Sequence, residues 1–119
     1  MGIVIDYTND FFQPSPSAEK VGTITTGSID LGSGNVFSDA PSANVTYTFS
    51  NPPATGNAYG FTLKVTPSAT VTLTWPASVD WPSGTAPTAP ASGSTSVFVF
   101  YTQDGGTIYY GFLAGGAMA

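Results

Sequence analysis

The chain has 119 residues, with 7 acidic and 2 basic side chains and a net charge of −5. Charged residues make up 8% of it, against roughly 25% in an ordinary soluble domain. Both basic residues are lysines, Lys20 and Lys64, and arginine, histidine and cysteine are absent. A Ser-His-Asp or Cys-His catalytic site cannot be built from this alphabet. Zinc sites draw on Cys and His, and phosphate clamps on arginine. Two lysines fall short of the basic footprint that nucleic acid requires. No disulfide framework is possible, and no cofactor is implied.

Ser and Thr replace the missing charge, 13 and 17 of them. Mixed surface charge ordinarily keeps a free monomer soluble. Two readings follow: a hydroxyl-rich monomer, or a chain whose surface is partly covered by association. The length suits one domain with one core. Hydrophobic residues at 41% argue against intrinsic disorder. No apolar run reaches the ~18 residues of a membrane-spanning helix, so no membrane partner is expected. Met1 to Asp6 has neither the basic start nor the long apolar run of a secretory signal.

In chain order, residues 1–20 read as an extended arm, distinct from a β domain over 21–119. Ile3-Val4-Ile5 is a short strand candidate, and the prolines at 14 and 16 bar a central strand thereafter. Ile3, Val4, Ile5, Phe11 and Phe12 are the candidate docking residues of this arm. An ordinary N-terminal strand and loop folded onto its own core explains them equally well.

Good helix formers are scarce, and short runs of Thr, Val, Tyr and Phe recur between turn residues. Val21–Thr26 and Ser28–Leu31 are strand candidates broken by Gly27, and Val36-Phe37 follows the Gly32–Asn35 turn. Asn44–Phe49 alternates, with Val45, Tyr47 and Phe49 on one face. Tyr59–Thr66 alternates likewise through Tyr59, Phe61, Leu63 and Val65, as does Thr70–Trp75 through Val71, Leu73 and Trp75. Ala43–Phe49 and Ala69–Trp75 echo one another, which reads as two equivalent strands of one sandwich.

Pro76–Gly93 carries four prolines and reads as a long loop presenting Trp81. Ser96–Thr102 and Thr107–Leu113 flank Gln103-Asp104-Gly105-Gly106, a strong hairpin signal. The first of these strands is apolar on both faces: Val97, Val99 and Tyr101 on one, Phe98 and Phe100 on the other. Such a strand is either central in a sandwich or sealed by a neighbour. Phe98, Phe100, Tyr109 and Phe112 are therefore candidate subunit contacts. The apolar tail Leu113–Ala119 either packs into a neighbour or frays.

The carboxylates are the main acid/base candidates. A glycosidase needs two of them a few Å apart, and Asp80 beside Trp81 is the one suggestive candidate; a turn or cap role is the preferred reading of it. No calcium-loop spacing is present. Asn44-Val45-Thr46 matches the N-glycosylation pattern, but inside a strand this reads as chance. Exposed aromatics over hydroxyl-rich neighbours suit a sugar-stacking platform, for which Trp81 and Tyr110 are the candidates; a core role for the aromatics is the competing reading.

The stretches Tyr47-Thr48-Phe49-Ser50-Asn51-Pro52-Pro53, Tyr59-Gly60-Phe61-Thr62-Leu63, Thr74–Pro87 and Val97–Gly115 together resemble a module of tailed-bacteriophage virion proteins. The "WPxSVxWPxGTAP" and "FYTxDGGTxxYGFLAG" patterns carry the resemblance, which spans roughly Val21 to Gly115. It implies a β-rich, trimeric, non-enzymatic module with no catalytic residues to transfer. With about 20 residues ahead of the module, a fibre shaft is not expected. A capsid decoration protein or short head fibre is therefore expected on the virion surface, assembled in the host cytoplasm and partnered by copies of itself and the major capsid or another virion protein. The alternative is a receptor- or glycan-binding tip of a tail fibre. The expected fold is an all-β antiparallel sandwich or barrel, jelly-roll-like, in a single domain with an extended N-terminal arm.

Overall fold

The computed structural model describes residues 18–119, which form an all-β fold with no α-helix among the described residues. The shell-docking candidates Ile3, Val4, Ile5, Phe11 and Phe12 lie outside the described residues. Of the expected arm, the described end is tied to the domain. The Lys20 carbonyl accepts from the N–H of Asn35 at 2.9 Å, and Asn35 Nδ2 donates to Glu19 Oε2 at 2.8 Å.

The chain opens with a hairpin of β1 (Ile24–Thr25) and β2 (Ser28–Asp30). Thr25 pairs with Ser28, so the turn is the two residues Thr26-Gly27. Both have positive φ, 49° and 81°, the requirement of the tight turn that matches strand twist. The break read at Gly27 is therefore a reversal. β3 (Val36–Asp39), β4 (Val45–Thr46) and β5 (Thr48–Ser50) follow. β4 and β5 are one alternating run divided at Tyr47, with each part pairing into a different sheet. β6 (Tyr59–Val65), β7 (Leu73–Thr74), β8 (Val79–Asp80), β9 (Thr95–Thr102) and β10 (Tyr109–Met118) complete the fold.

The main sheet has the order β3-β6-β9-β10-β8. Its long ladders, β6 with β9 and β9 with β10, are antiparallel. Four shorter pairings are parallel: β3 with β6, β2 with β5, β4 with β7 and β8 with β10. The all-β sandwich-like fold with antiparallel long ladders is as expected; the short parallel pairings are an addition, because alternation reports which face a residue takes and not the direction of its partner strand. The echoing segments do pair with each other. Val45 meets Leu73, whereas the echo aligns it with Val71, so repeat and ladder are out of register.

The core fills the space between the main sheet and the second layer, β1-β2-β5 with β4-β7. Phe37, Phe61, Leu63, Val65, Phe98, Phe100 and Tyr109 come from the main sheet, and Ile29 and Tyr47 come from the other side. Aromatic rings join the layers. Phe49 of β5 sits 5.0 Å from Phe61 and 5.2 Å from Phe100, both edge-on. Trp75 stacks on Tyr47 at 5.0 Å and reaches Phe98 at 4.9 Å. These offset and edge-to-face geometries are those aromatic quadrupoles favour.

Two tyrosines seal the core with hydrogen bonds. The Tyr47 hydroxyl donates to Asp39 Oδ2 at 2.7 Å. That of Tyr59 donates to the carbonyls of Leu31, at 3.1 Å, and Gly34. Burial above all, then the hydrogen bond and charge of Asp39, pushes the Tyr47 pKa up. Burial, with lesser repulsion from Tyr109 and Asp30, pushes Tyr59 up to about 12. The folded state thus holds these protons more tightly than the unfolded chain, whose tyrosines titrate at 10.0. The stability they contribute is complete below pH 10 and is lost as pH rises through the folded-state values. Urea midpoints should hold level from pH 8 to 10 and fall above it, and Tyr47→Phe should shallow the fall. A midpoint that stays level to pH 12 contradicts this account.

Candidate docking surface

The predicted subunit contacts divide. Phe98 and Phe100 are fully buried and Tyr109 is 3% exposed, all within the chain's own core. They are corrected from contact residues to core residues, because β5 and Trp75 cover the face of β9 that carries them. Phe112 is 43% exposed and stays available.

The glycan-platform candidates divide as well. Trp81, expected as an exposed ring, is half-buried and packs 5.3 Å from Trp75 and 5.6 Å from Phe100. The long loop is pinned there by the pairing of β8 with β10 and by a single 3-10 turn over Pro82–Gly84. Tyr110 is exposed.

What the structure assembles is the outer face of the main sheet. β9 turns Ser96, Phe98, Phe100 and Thr102 inward, which leaves Val97, Val99 and Tyr101 outward. Register then fixes their neighbours. Tyr110 lies opposite Tyr101, with Asp80 on its other side and Gly60 beyond Tyr101. Phe112 lies opposite Val99, followed by Thr62 and Val36. Tyr101, Tyr110 and Phe112 are exposed, and Val97, Val99 and Val36 are half-buried. Lys64, beside Val97, is the one basic residue of this face. The result is a broad aromatic and aliphatic sheet face of low charge. Exposed apolar patches of this kind mark interaction surfaces.

Leu113 and Met118 of β10 are also exposed, at 42% and 50%, but Leu113 pairs with the inward-facing Phe98 and so lies on the opposite face of the strand from Phe112. Alternation turns Leu113 to the core side of β10, so its exposure means that the second layer leaves this end of the strand uncovered, and Met118 follows two irregularities of the ladder. The ladder with β9 slips between Leu113 and Gly115 and again before Met118, and such bulges re-aim side chains. The tail expected to pack into a neighbour or fray is instead strand to Met118.

The carboxylates are engaged locally. Asp30 Oδ1 accepts from the N–H of Gly32 and from Asn51 Nδ2, each at 2.9 Å. Asp39 takes the Tyr47 hydroxyl and the N–H of Ala40. Asp104 organises the β9–β10 turn, accepting from the N–H of Ile108 at 3.0 Å and the Thr102 hydroxyl at 3.1 Å. The Ile108 N–H is the main cause of its lowered pKa. Asp80 is exposed at the sheet edge, while Asp6 and Asp10 lie outside the described residues. Among the described residues, no group of three or more acidic side chains is placed to hold a metal ion.

Two open grooves, of about 430 and 330 Å³, flank the β4–β7 ladder. The side chains of Asp39 and Asn44 in the first are taken up by Tyr47 and by the N–H of Thr72. Neither groove rivals the sheet face as an interaction surface.

Comparison of the chain with protein-family models, with curated proteins and with solved structures finds no match.

Proposed function

We propose that the chain is a non-enzymatic structural protein of a bacteriophage virion, a capsid decoration or short head-fibre protein that binds the particle surface and copies of itself. Three copies is the number the sequence resemblance implies. The observation that carries the proposal is the outer face of the main sheet, where Tyr101, Tyr110 and Phe112 stand exposed on one low-charge surface. With charged residues only 8% of the chain, few interspersed charges shield such a face, and burial against another protein removes the liability. Each apolar side chain covered in this way contributes at roughly 25 cal/mol per Å² of area buried. Occupancy of many equivalent sites then stabilises the shell by mass action.

Particles lacking this protein should lose infectivity after heating or osmotic shock sooner than complete particles, with restoration on adding the purified chain. Equal resistance in both excludes a cementing role. The alternative, a glycan-binding tip, retains the Tyr101–Tyr110 pair as its platform, since Trp81 is packed against the core. Tyr110→Ala separates the two: a tip loses cell attachment, whereas a decoration protein loses particle binding.

A further inference from the structure

β10 is ten residues long and pairs with β9 on one side, but on the other side β8 covers only Tyr109 and Tyr110. From Gly111 to Met118 the second edge has no strand partner among the described residues. The direction of its hydrogen-bonding groups can be derived. The N–H of Tyr109 donates to the Ser78 carbonyl beside β8 at 2.9 Å, and a strand alternates its N–H groups between edges. Before the first bulge, the N–H groups of Gly111 and Leu113 therefore point to the open edge.

Natural proteins protect open edges with lysine, proline, inward charge, β-bulges or a covering loop, and the bulges of β10 begin only after Leu113. This edge has none of the side-chain devices, since residues 105–119 contain no charged side chain and no proline. Phe112 and Leu113, adjacent and on opposite faces of the strand, are both more than 40% exposed. Both faces of the strand are therefore bare here as well as its edge.

We propose that the edge of β10 left open among the described residues pairs antiparallel with the same edge of a second copy through Gly111–Leu113, ahead of the bulges, joining two main sheets into one. Three observations favour this occupant. An extended strand is what unpaired backbone groups accept. Antiparallel pairing of an edge with itself is self-complementary and closes after two copies. Residues 105–119 carry no acidic side chain and the one acid beside them at this edge is Asp80, opposite Tyr110, so two copies of net charge −5 can meet along Gly111–Leu113 with little repulsion. In such a pair Phe112 and Leu113 gain cover from the partner strand. The contact is separate from that of the sheet face and does not depend on where in a particle the protein sits. In an assembly of rings it would link a subunit of one ring to a subunit of the next.

The test uses the purified full chain in solution, with light scattering for mass and hydrogen–deuterium exchange for the β10 amides. The expected mass is an even number of 12.2 kDa chains, with the Gly111 and Leu113 amides protected. Leu113→Pro removes a donor that faces the open edge and spares the ladder to β9. It should halve the mass and release the Gly111 amide while the circular dichroism spectrum persists. Leu113→Lys retains the N–H but puts two like charges in the pair, and should weaken association about tenfold or more. A monomer or a three-chain mass overturns the proposal. So does protection of these amides in a monomer, which would assign the edge to another segment of the same chain, or an even mass that both variants retain.

Discussion

Phe100→Ala is expected to lower the stability of the fold by about 3–5 kcal/mol, the usual cost of deleting a buried aromatic ring. Phe100 belongs at the upper end of that range. Its ring lies 4.9 Å from Phe61, 5.2 Å from Phe49, 5.5 Å from Trp75 and 5.6 Å from Trp81, so the cavity would open where both layers and the long loop meet. Their rings are held from two strands, β5 and β6, and from the segments after β7 and β8, and cannot close the gap together. Phe100→Leu retains most of the volume and should cost less. Chemical denaturation distinguishes these outcomes: a loss below about 1 kcal/mol for the alanine variant would mean that Phe100 is not in the chain's own core. The same experiment separates a core role for this residue from the contact role that its neighbours in sequence suggest.

Gly27→Ala is the second large effect. Gly27 has φ of 81°, and a Cβ there would lie 2.4 Å from the Thr46 carbonyl oxygen. Two costs combine: a backbone conformation that L residues disfavour, about 1–3 kcal/mol, and a clash with backbone that has no free end to move. The clash matters because the Gly27 carbonyl also accepts the N–H of Thr48 at 3.0 Å, which fastens the hairpin to the start of β5. Shifting the turn would break that bond. A loss of at least about 2 kcal/mol is expected. Thr26→Asn, in the preceding residue of the turn, should do the reverse. Thr26 is β-branched at φ of 49°, a position where Asn is strongly preferred, and a gain of roughly 0.5–1 kcal/mol follows from relieving it. If both variants leave the denaturation midpoint unchanged, the turn is not the one described.

Much of this architecture is legible in the residues because alternation is a local signal. Tyr59–Val65 reads correctly as one strand with Phe61, Leu63 and Val65 inward, and Val45, Tyr47 and Phe49 take one face as their spacing requires. Val97, Val99 and Tyr101 are recognisable as a common face for the same reason. Whether that face is covered is a tertiary matter. Phe98 and Phe100 carry the same apolar chemistry as Phe112, yet the first two lie under Trp75 and Phe49 and the third is bare. Trp81 shows the converse: a loop rich in proline looks exposed, but two residues of pairing with β10 turn its tryptophan onto the core. Met118 escapes detection because its placement follows bulges in the β9–β10 ladder, which no spacing rule anticipates, and Leu113 because whether the core side of a strand end is covered is a tertiary matter. The parallel pairings also depend on how chain connections cross the sheets, and period alone carries no record of that.

The physical picture joins these results. Hydroxyl side chains supply most of the polar surface, aromatic rings join two thin layers, and one sheet face with its adjoining edge lacks the charge that would keep it apart from other proteins. Among the described residues, indole nitrogen Nε1 of Trp75 is buried without a hydrogen-bond partner, and packing holds the aromatic core there. A domain built this way gains by being covered, and the outer face of the main sheet is where cover is needed.

A density map of the intact particle tests the central claim most directly. The proposed function requires repeated copies on the outside of the head, with Tyr101, Tyr110 and Phe112 buried against a neighbouring protein. Copies confined to the tail tip, with this face open to solvent, would contradict it.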